Sequence, residues 1–178
     1  MNNENKNLTE LLRERRSIRR YTSQKIDRDT LRMIAEAGLF APSSYGQNPV
    51  EFVIIDDPAE LHSVAACKAI GAPSVANAAA AIIVAVDTAK GELWVEDASV
   101  AAGYILLAAE NYGIGACWNQ IHLRKGKKAT ASKEICEITG IPSSYEVVAV
   151  IALGYPAETK APRTLEEMNL QRIHFDRF

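Results

Sequence analysis

The chain has few of the features that would assign it quickly. Its three cysteines, Cys67, Cys117 and Cys136, are odd in number and far apart, with no Cys-x-x-Cys and no Cys/His zinc spacing. Reduced thiols in a cytosol are therefore the simplest reading. No charge of one sign dominates: the net charge is -2, from well-mixed residues. Nucleic-acid and membrane-surface binding both need a concentrated basic face, so neither is expected. The longest apolar run, Ala78 to Val86, is too short to span a bilayer, and Met1 to Asn7 has no apolar signal region. The expectation is a cytoplasmic protein.

Chemical signatures are equally sparse. His62, His122 and His174 share no metal-ligand spacing, and no metal site is expected. No serine sits in a nucleophile elbow, and no phosphate-binding P-loop is present. Cys117 reads as a buried thiol rather than a nucleophile, since no base can be assigned to it. If the chain is an enzyme, a cofactor carries the reaction, and no side chain is assigned a catalytic role.

What is present is an ordinary globular composition, 48% apolar and 24% charged, in 178 residues, enough for one domain over 1–178. Leu8, Leu11 and Leu12 recur at helical spacing, with Asn7 or Thr9 as cap. Ile26 to Phe40 reads as a second helix capped by Asp27, Ala59 to Ile70 as a third, Val95 to Asn111 as a long alanine-rich one, and Ser132 to Thr139 as the last. Strands are expected at Glu51 to Asp56, Ala80 to Val86, Ile114 to Trp118 and Glu146 to Gly154. The continuously apolar Ala80 to Val86 suits a strand covered on both faces. Strands separated by helices imply helices layered on a sheet. The polar tail carries Ile173, Phe175 and Phe178 as late anchors, for a partner subunit or for its own domain.

Three segments carry groups suited to a ligand. Arg15-Arg16-Ser17-Ile18-Arg19 gathers three guanidinium groups and a hydroxyl at a helix end. Such a cradle fits a phosphate through charge-assisted bonds, and it also fits a solvated basic helix end. Pro42-Ser43-Ser44-Tyr45-Gly46-Gln47-Asn48-Pro49 offers hydroxyls, amides and backbone N–H groups, or is only a polar connection. Gly113-Ile114-Gly115-Ala116-Cys117-Trp118-Asn119-Gln120 pairs two glycines with amide donors, but lacks the third glycine of a dinucleotide fingerprint.

Taken in order, these segments resemble the nitroreductase family of FMN-dependent NAD(P)H oxidoreductases. Arg15-Arg16-Ser17-Ile18-Arg19 is similar to the family's Arg-Arg-Ser-x-Arg signature, and Ala41-Pro42-Ser43-Ser44 with Asn48-Pro49-Val50-Glu51-Phe52 to its Ala-Pro-Ser loop feeding a strand. Trp94 to Ala109 resembles its long central helix, and Gly113 to Trp118 and Leu153 to Glu158 complete the series over nearly the whole chain.

The resemblance implies an α+β fold with a central, mostly antiparallel sheet flanked by helices, despite the parallel look of the alternation. It also implies an intertwined homodimer with FMN at the subunit interface. On this reading Arg15, Ser17 and Arg19 hold the FMN phosphate and ring edge, with Arg16 beside them. Pro42, Ser43 and Ser44 come from the opposite subunit, and Trp118, Asn119 and Gln120 lie along the ring. Arg163 reaches the phosphate, with Lys160 in reserve. Gly46, Asn48 and Val50 stand where relatives often carry Asn, Gln and Trp; Gly46 and Asn48 remain candidate ring contacts. The basic segment Arg124 to Lys133 reads as a lid or rim. NADH or NADPH would reduce the flavin in a ping-pong cycle, with nitroaromatics, quinones or similar electron-poor compounds as acceptors. A flavin-fragmenting or dehalogenating enzyme, a non-catalytic flavin-binding protein, and an acidic partner docked on Arg13 to Arg20 are the alternatives.

Overall fold

The structure, a computed structural model, describes residues 7–178; the polar stretch 1–6 lies outside the described residues. Asn7 caps the first helix, α1 (Leu8–Glu14), in a capping box with Glu10. Asp27 caps α2 (Arg28–Leu39) by accepting the Thr30 N–H, and its apolar face buries Leu31, Ile34 and Ala35. After the Pro42 to Pro49 loop come β1 (Val50–Ile55) and α3 (Pro58–Ala66), the latter capped by Asp57. The third helix is expected to run to Ile70; it ends four residues earlier, and a separate turn, α4 (Pro73–Ala76), follows with proline at its start. Then come β2 (Ala80–Asp87), α5 (Trp94–Asn111), β3 (Gly115–Gln120), α6 (Ala131–Thr139) and β4 (Tyr145–Gly154).

The strands form one sheet in the order β1-β2-β4-β3, and every neighbouring pair is antiparallel. The alternation of strand and helix gives no parallel pair here: β2 and β3 run the same way, but β4 fills the slot between them and pairs antiparallel with both. β2 and β4 occupy the centre, which is why both read as unbroken apolar runs: Ile82, Ile83, Val84, Val150, Ile151 and Leu153 are fully buried. Each such side chain contributes about 1.5–3 kcal/mol on burial. One face is covered by α2 and α5 and the other by α3, α4 and α6. The alanines of α5, Ala98, Ala101, Ala102 and Ala109, lie at the buried side and let the helix sit close to the sheet.

That arrangement leaves β1 and β3 as edges. Among the described residues, no helix is long and apolar enough to cross a membrane.

Candidate functional site

The basic segment is fixed against the start of β3. Arg15 ends α1, its N–H bonded to the Leu11 carbonyl. Ser17 then bridges Ala116 in parallel, and Ile18 donates its N–H to the Ala116 carbonyl at 3.0 Å. Ile18 is buried and passes so close that a Cβ on Gly115 would stand 2.9 Å from it. The space beside Gly115 is thus taken by the chain's own Ile18. Tyr21, whose hydroxyl donates to the Ile18 carbonyl at 2.6 Å, completes the anchor, and burial pushes its pKa upward.

The start of the tail zips along the same segment. Thr22 N–H bonds to the Tyr155 carbonyl, Ala157 N–H to the Arg20 carbonyl, and Arg163 N–H to the Arg13 carbonyl. Arg16 donates to the Ala161 carbonyl and Lys160 to the Ser17 carbonyl. Glu158 accepts the Arg19 N–H at 2.6 Å and lies 3.5 Å from Lys160. Those bonds, the Arg19 N–H first, hold its carboxyl down at about 2. The tail therefore folds back on its own chain as far as Arg163, while Ile173, Phe175 and Phe178 remain exposed. Arg15, Arg16, Ser17, Arg19, Lys160 and Arg163 are thus collected on one basic ridge by pairings more than a hundred residues apart in sequence.

β3 runs on from this ridge as an open edge. Ala116 turns its carbonyl outward to Ile18, and the pleat repeats every second residue. Trp118 and Gln120 therefore turn their backbone N–H and C=O groups to the same outer edge, beyond the stretch that Ser17 and Ile18 cover. Their side chains share a face as well: Trp118 Nε1 donates to Gln120 Oε1 at 2.9 Å, and Gln120 Nε2 to the His122 carbonyl at 3.1 Å. His122 in turn meets Trp94 edge-on at 4.9 Å. Asn119 points the other way. Its buried amide accepts from Ser74 Oγ at 2.7 Å and donates to the Cys117 carbonyl at 3.1 Å. Cys117, Cys67 and Cys136 are all buried and unpaired, and burial raises the pKa of the last two.

The serine loop is a separate, rigid piece. Asn48 N–H donates to Ser43 Oγ at 2.9 Å, and Asn48 Nδ2 to the Gly46 carbonyl at 3.2 Å. Tyr45, Gly46 and Asn48 all have positive φ, and only the glycine adopts it without steric cost. Ser44 donates its N–H to the buried carboxylate of Asp97 at 2.8 Å, so the loop is bolted to the first turn of α5. Sequence reading missed Asp97, hidden in a helix read for its alanines, and also missed Ser74. Pro42, Ser43, Ser44, Gly46 and Asn48 are therefore anchored at one end of α5, and the basic ridge lies beyond the other. The helix between Asp97 and Asn111 is about 20 Å long. One chain does not bring the two groups together.

Residues 124–130 close a short hairpin through the Lys125 and Thr130 bridge, wrapped on Glu134, which accepts the Lys128 and Ala129 N–H groups. Those bonds lower the Glu134 pKa and leave Arg124, Lys125, Lys127 and Lys128 exposed. Among the described residues, no three His, Cys, Asp or Glu side chains are grouped to hold a metal. A groove of about 730 Å³ opens between α1, α2 and α5; Leu8, Leu12, Met33, Phe40, Tyr104 and Tyr112 are exposed along it.

Comparison with known proteins matches this architecture. A family model described as the nitroreductase family matches residues 12–93 and 68–155. A provisionally named NADH dehydrogenase/NAD(P)H nitroreductase of Archaeoglobus fulgidus is 32% identical over 169 residues, 92% of this chain and 94% of that protein. The solved FMN-dependent nitroreductase of Clostridium difficile R20291 is 36% identical with a TM-score of 0.92, over 96% of this chain and 100% of that one. A provisionally named nitroreductase of Desulfovibrio desulfuricans, solved in complex with FMN, is 28% identical with a TM-score of 0.73, over 93% and 96% of the two chains.

Proposed function

The chain belongs to the nitroreductase family, and from that premise we propose that it is a cytoplasmic, FMN-dependent NAD(P)H oxidoreductase. It is one FMN-binding domain over residues 1–178, and it works as a homodimer. Its cycle is ping-pong, from NADH or NADPH to nitroaromatic, quinone or similar electron-poor acceptors.

The observation that carries the proposal is the open outer edge of β3, which continues from the basic ridge. Guanidinium and ammonium groups stand at one end, and the outward N–H groups of Trp118 and Gln120 follow. A phosphate dianion suits Arg15, Arg16, Ser17, Arg19 and Arg163, with Lys160 steadying the Ser17 carbonyl. A heteroaromatic edge with nitrogen and carbonyl acceptors suits the Trp118 and Gln120 N–H groups. When bound, FMN supplies the two-electron chemistry that no side chain here offers. The protein's part is positioning, together with N–H dipoles that favour negative charge at that ring edge.

The separation of the two groups supports the dimer. The serine loop and the basic ridge sit at opposite ends of α5, and a second copy would bring one to the other. The apolar groove over α1, α2 and α5 is the face for that copy: it exposes Leu12 and Phe40 at 52% and 82%. Pro42, Ser43, Ser44, Gly46 and Asn48 then reach the partner's flavin.

Steady-state rates at varied NADH, NADPH and quinone concentrations test the cycle. Parallel double-reciprocal lines are expected, and intersecting lines would require both substrates to be bound together.

A further inference from the structure

The two amides at the end of β3 look interchangeable in sequence, yet the pleat gives them different surroundings. Gln120 shares the Trp118 face, whereas Asn119 is 9% exposed and packed beneath the sheet against α4. Both ends of its amide are engaged, the oxygen by Ser74 Oγ at 2.7 Å and the nitrogen by the Cys117 carbonyl at 3.1 Å. Ser74 is itself 8% exposed, on the short α4 turn, and outside every segment considered for ligand binding.

An edge strand has a partner on one side only, so its outer half keeps its shape through whatever else grips it. β3 is held by β4 along its length, and by Ile18 at Ala116, before Trp118 and Gln120. Past that point the chain of bonds from Ser74 through Asn119 to the Cys117 carbonyl is an additional restraint. It spans the peptide planes on either side of Trp118. A buried amide with two fixed partners has one orientation, and leaving either end unpaired in the interior is costly.

We propose that Ser74 and Asn119 form a buried splint that sets the outer edge of β3, which makes Ser74 a positioning residue for the flavin ring. It touches no ligand. It acts through Asn119, from the opposite face of the sheet, on the Trp118 and Gln120 N–H groups. The inference rests on the FMN reading of that edge.

The test compares Ser74→Ala, Ser74→Thr, Asn119→Ala and the double variant Ser74→Ala/Asn119→Ala. FMN affinity is read from quenching of flavin fluorescence on titration of the apoprotein, and the bound flavin's reduction potential and visible bands are recorded. Ser74→Ala raises the FMN Kd about tenfold and shifts the flavin bands. Ser74→Thr, which keeps the hydroxyl, restores both to near the parent values. The double variant is no worse than Asn119→Ala alone, because the two residues act as one unit. The melting temperature of each apoprotein separates a ring effect from unfolding: a variant that melts like the parent yet binds FMN weakly supports the splint. Parent-like Kd and bands in Ser74→Ala, strictly additive losses, or no rescue by threonine would overturn it. A parent chain that binds no FMN defeats the cofactor reading, and the splint's role with it.

Discussion

Ser44 and Asp97 are 53 residues apart, and the N–H of one meets the buried carboxylate of the other at 2.8 Å. This bond ties the serine loop to the long helix, and in the proposed dimer it would set where the loop meets the partner's basic ridge. Asp97→Ala leaves the Ser44 N–H without its acceptor and costs about 1–3 kcal/mol. The melting temperature should fall by several degrees. Asp97→Asn, which retains an acceptor oxygen, should lose less. Thermal unfolding of the three proteins checks the order, and an unchanged Asp97→Ala would contradict it.

In the proposed function the basic ridge holds the phosphate, so ligand chemistry separates its role from that of the ring edge. Arg15→Ala and Arg163→Ala should each weaken FMN binding by roughly 10- to 100-fold. Riboflavin has no phosphate, and its affinity for either variant should stay within about twofold of the parent. Equal losses for both ligands would move these arginines away from the phosphate.

Glu158 links the tail to the Arg19 and Arg20 N–H groups, and its carboxyl titrates at about 2 instead of the ordinary 4.5. A depressed folded pKa means that the charged form stabilises the fold. That contribution is complete above pH 4.5 and disappears as the pH falls toward 2. Glu158→Gln should therefore be less stable than the parent at neutral pH, with the gap closing through this window. Urea midpoints measured against pH check it; a gap that does not change with pH would show that the carboxylate charge is irrelevant.

In the proposed dimer the α1, α2 and α5 groove faces the second subunit. Leu12→Glu places a charge on an apolar contact face and should convert a dimer of 19.4 kDa chains to monomer. FMN should be lost in the same step if each site takes the other chain's loop, as proposed. Sedimentation and flavin content measured on one sample test the coupling. A monomer with full flavin content would mean that one chain suffices.

Local signals in the sequence predict the helices well, because caps are local: Asp27 and Asp57 each bond N–H groups two or three residues on. Burial was legible too, since Ala80 to Val86 lies at the sheet's centre as its unbroken apolar character requires. Pairing was not. Nothing in Ser17 announces Ala116, and nothing in Arg16 announces Ala161, because sheet bridges and tail contacts join residues without a local pattern. The antiparallel order came from resemblance, not from periodicity. Asn119 and Gln120 read alike as amide donors, and only the pleat separates them. The α4 turn is only four residues long and opens on Pro73, too short for a periodic signal, so nothing local singles out Ser74.

The most direct test of the central claim is the visible absorption spectrum of the purified protein, followed without oxygen as NADH and then NADPH is added. Flavin bands should bleach rapidly with at least one of the two donors and return when a quinone is supplied. A colourless protein that takes up no added FMN would contradict the claim.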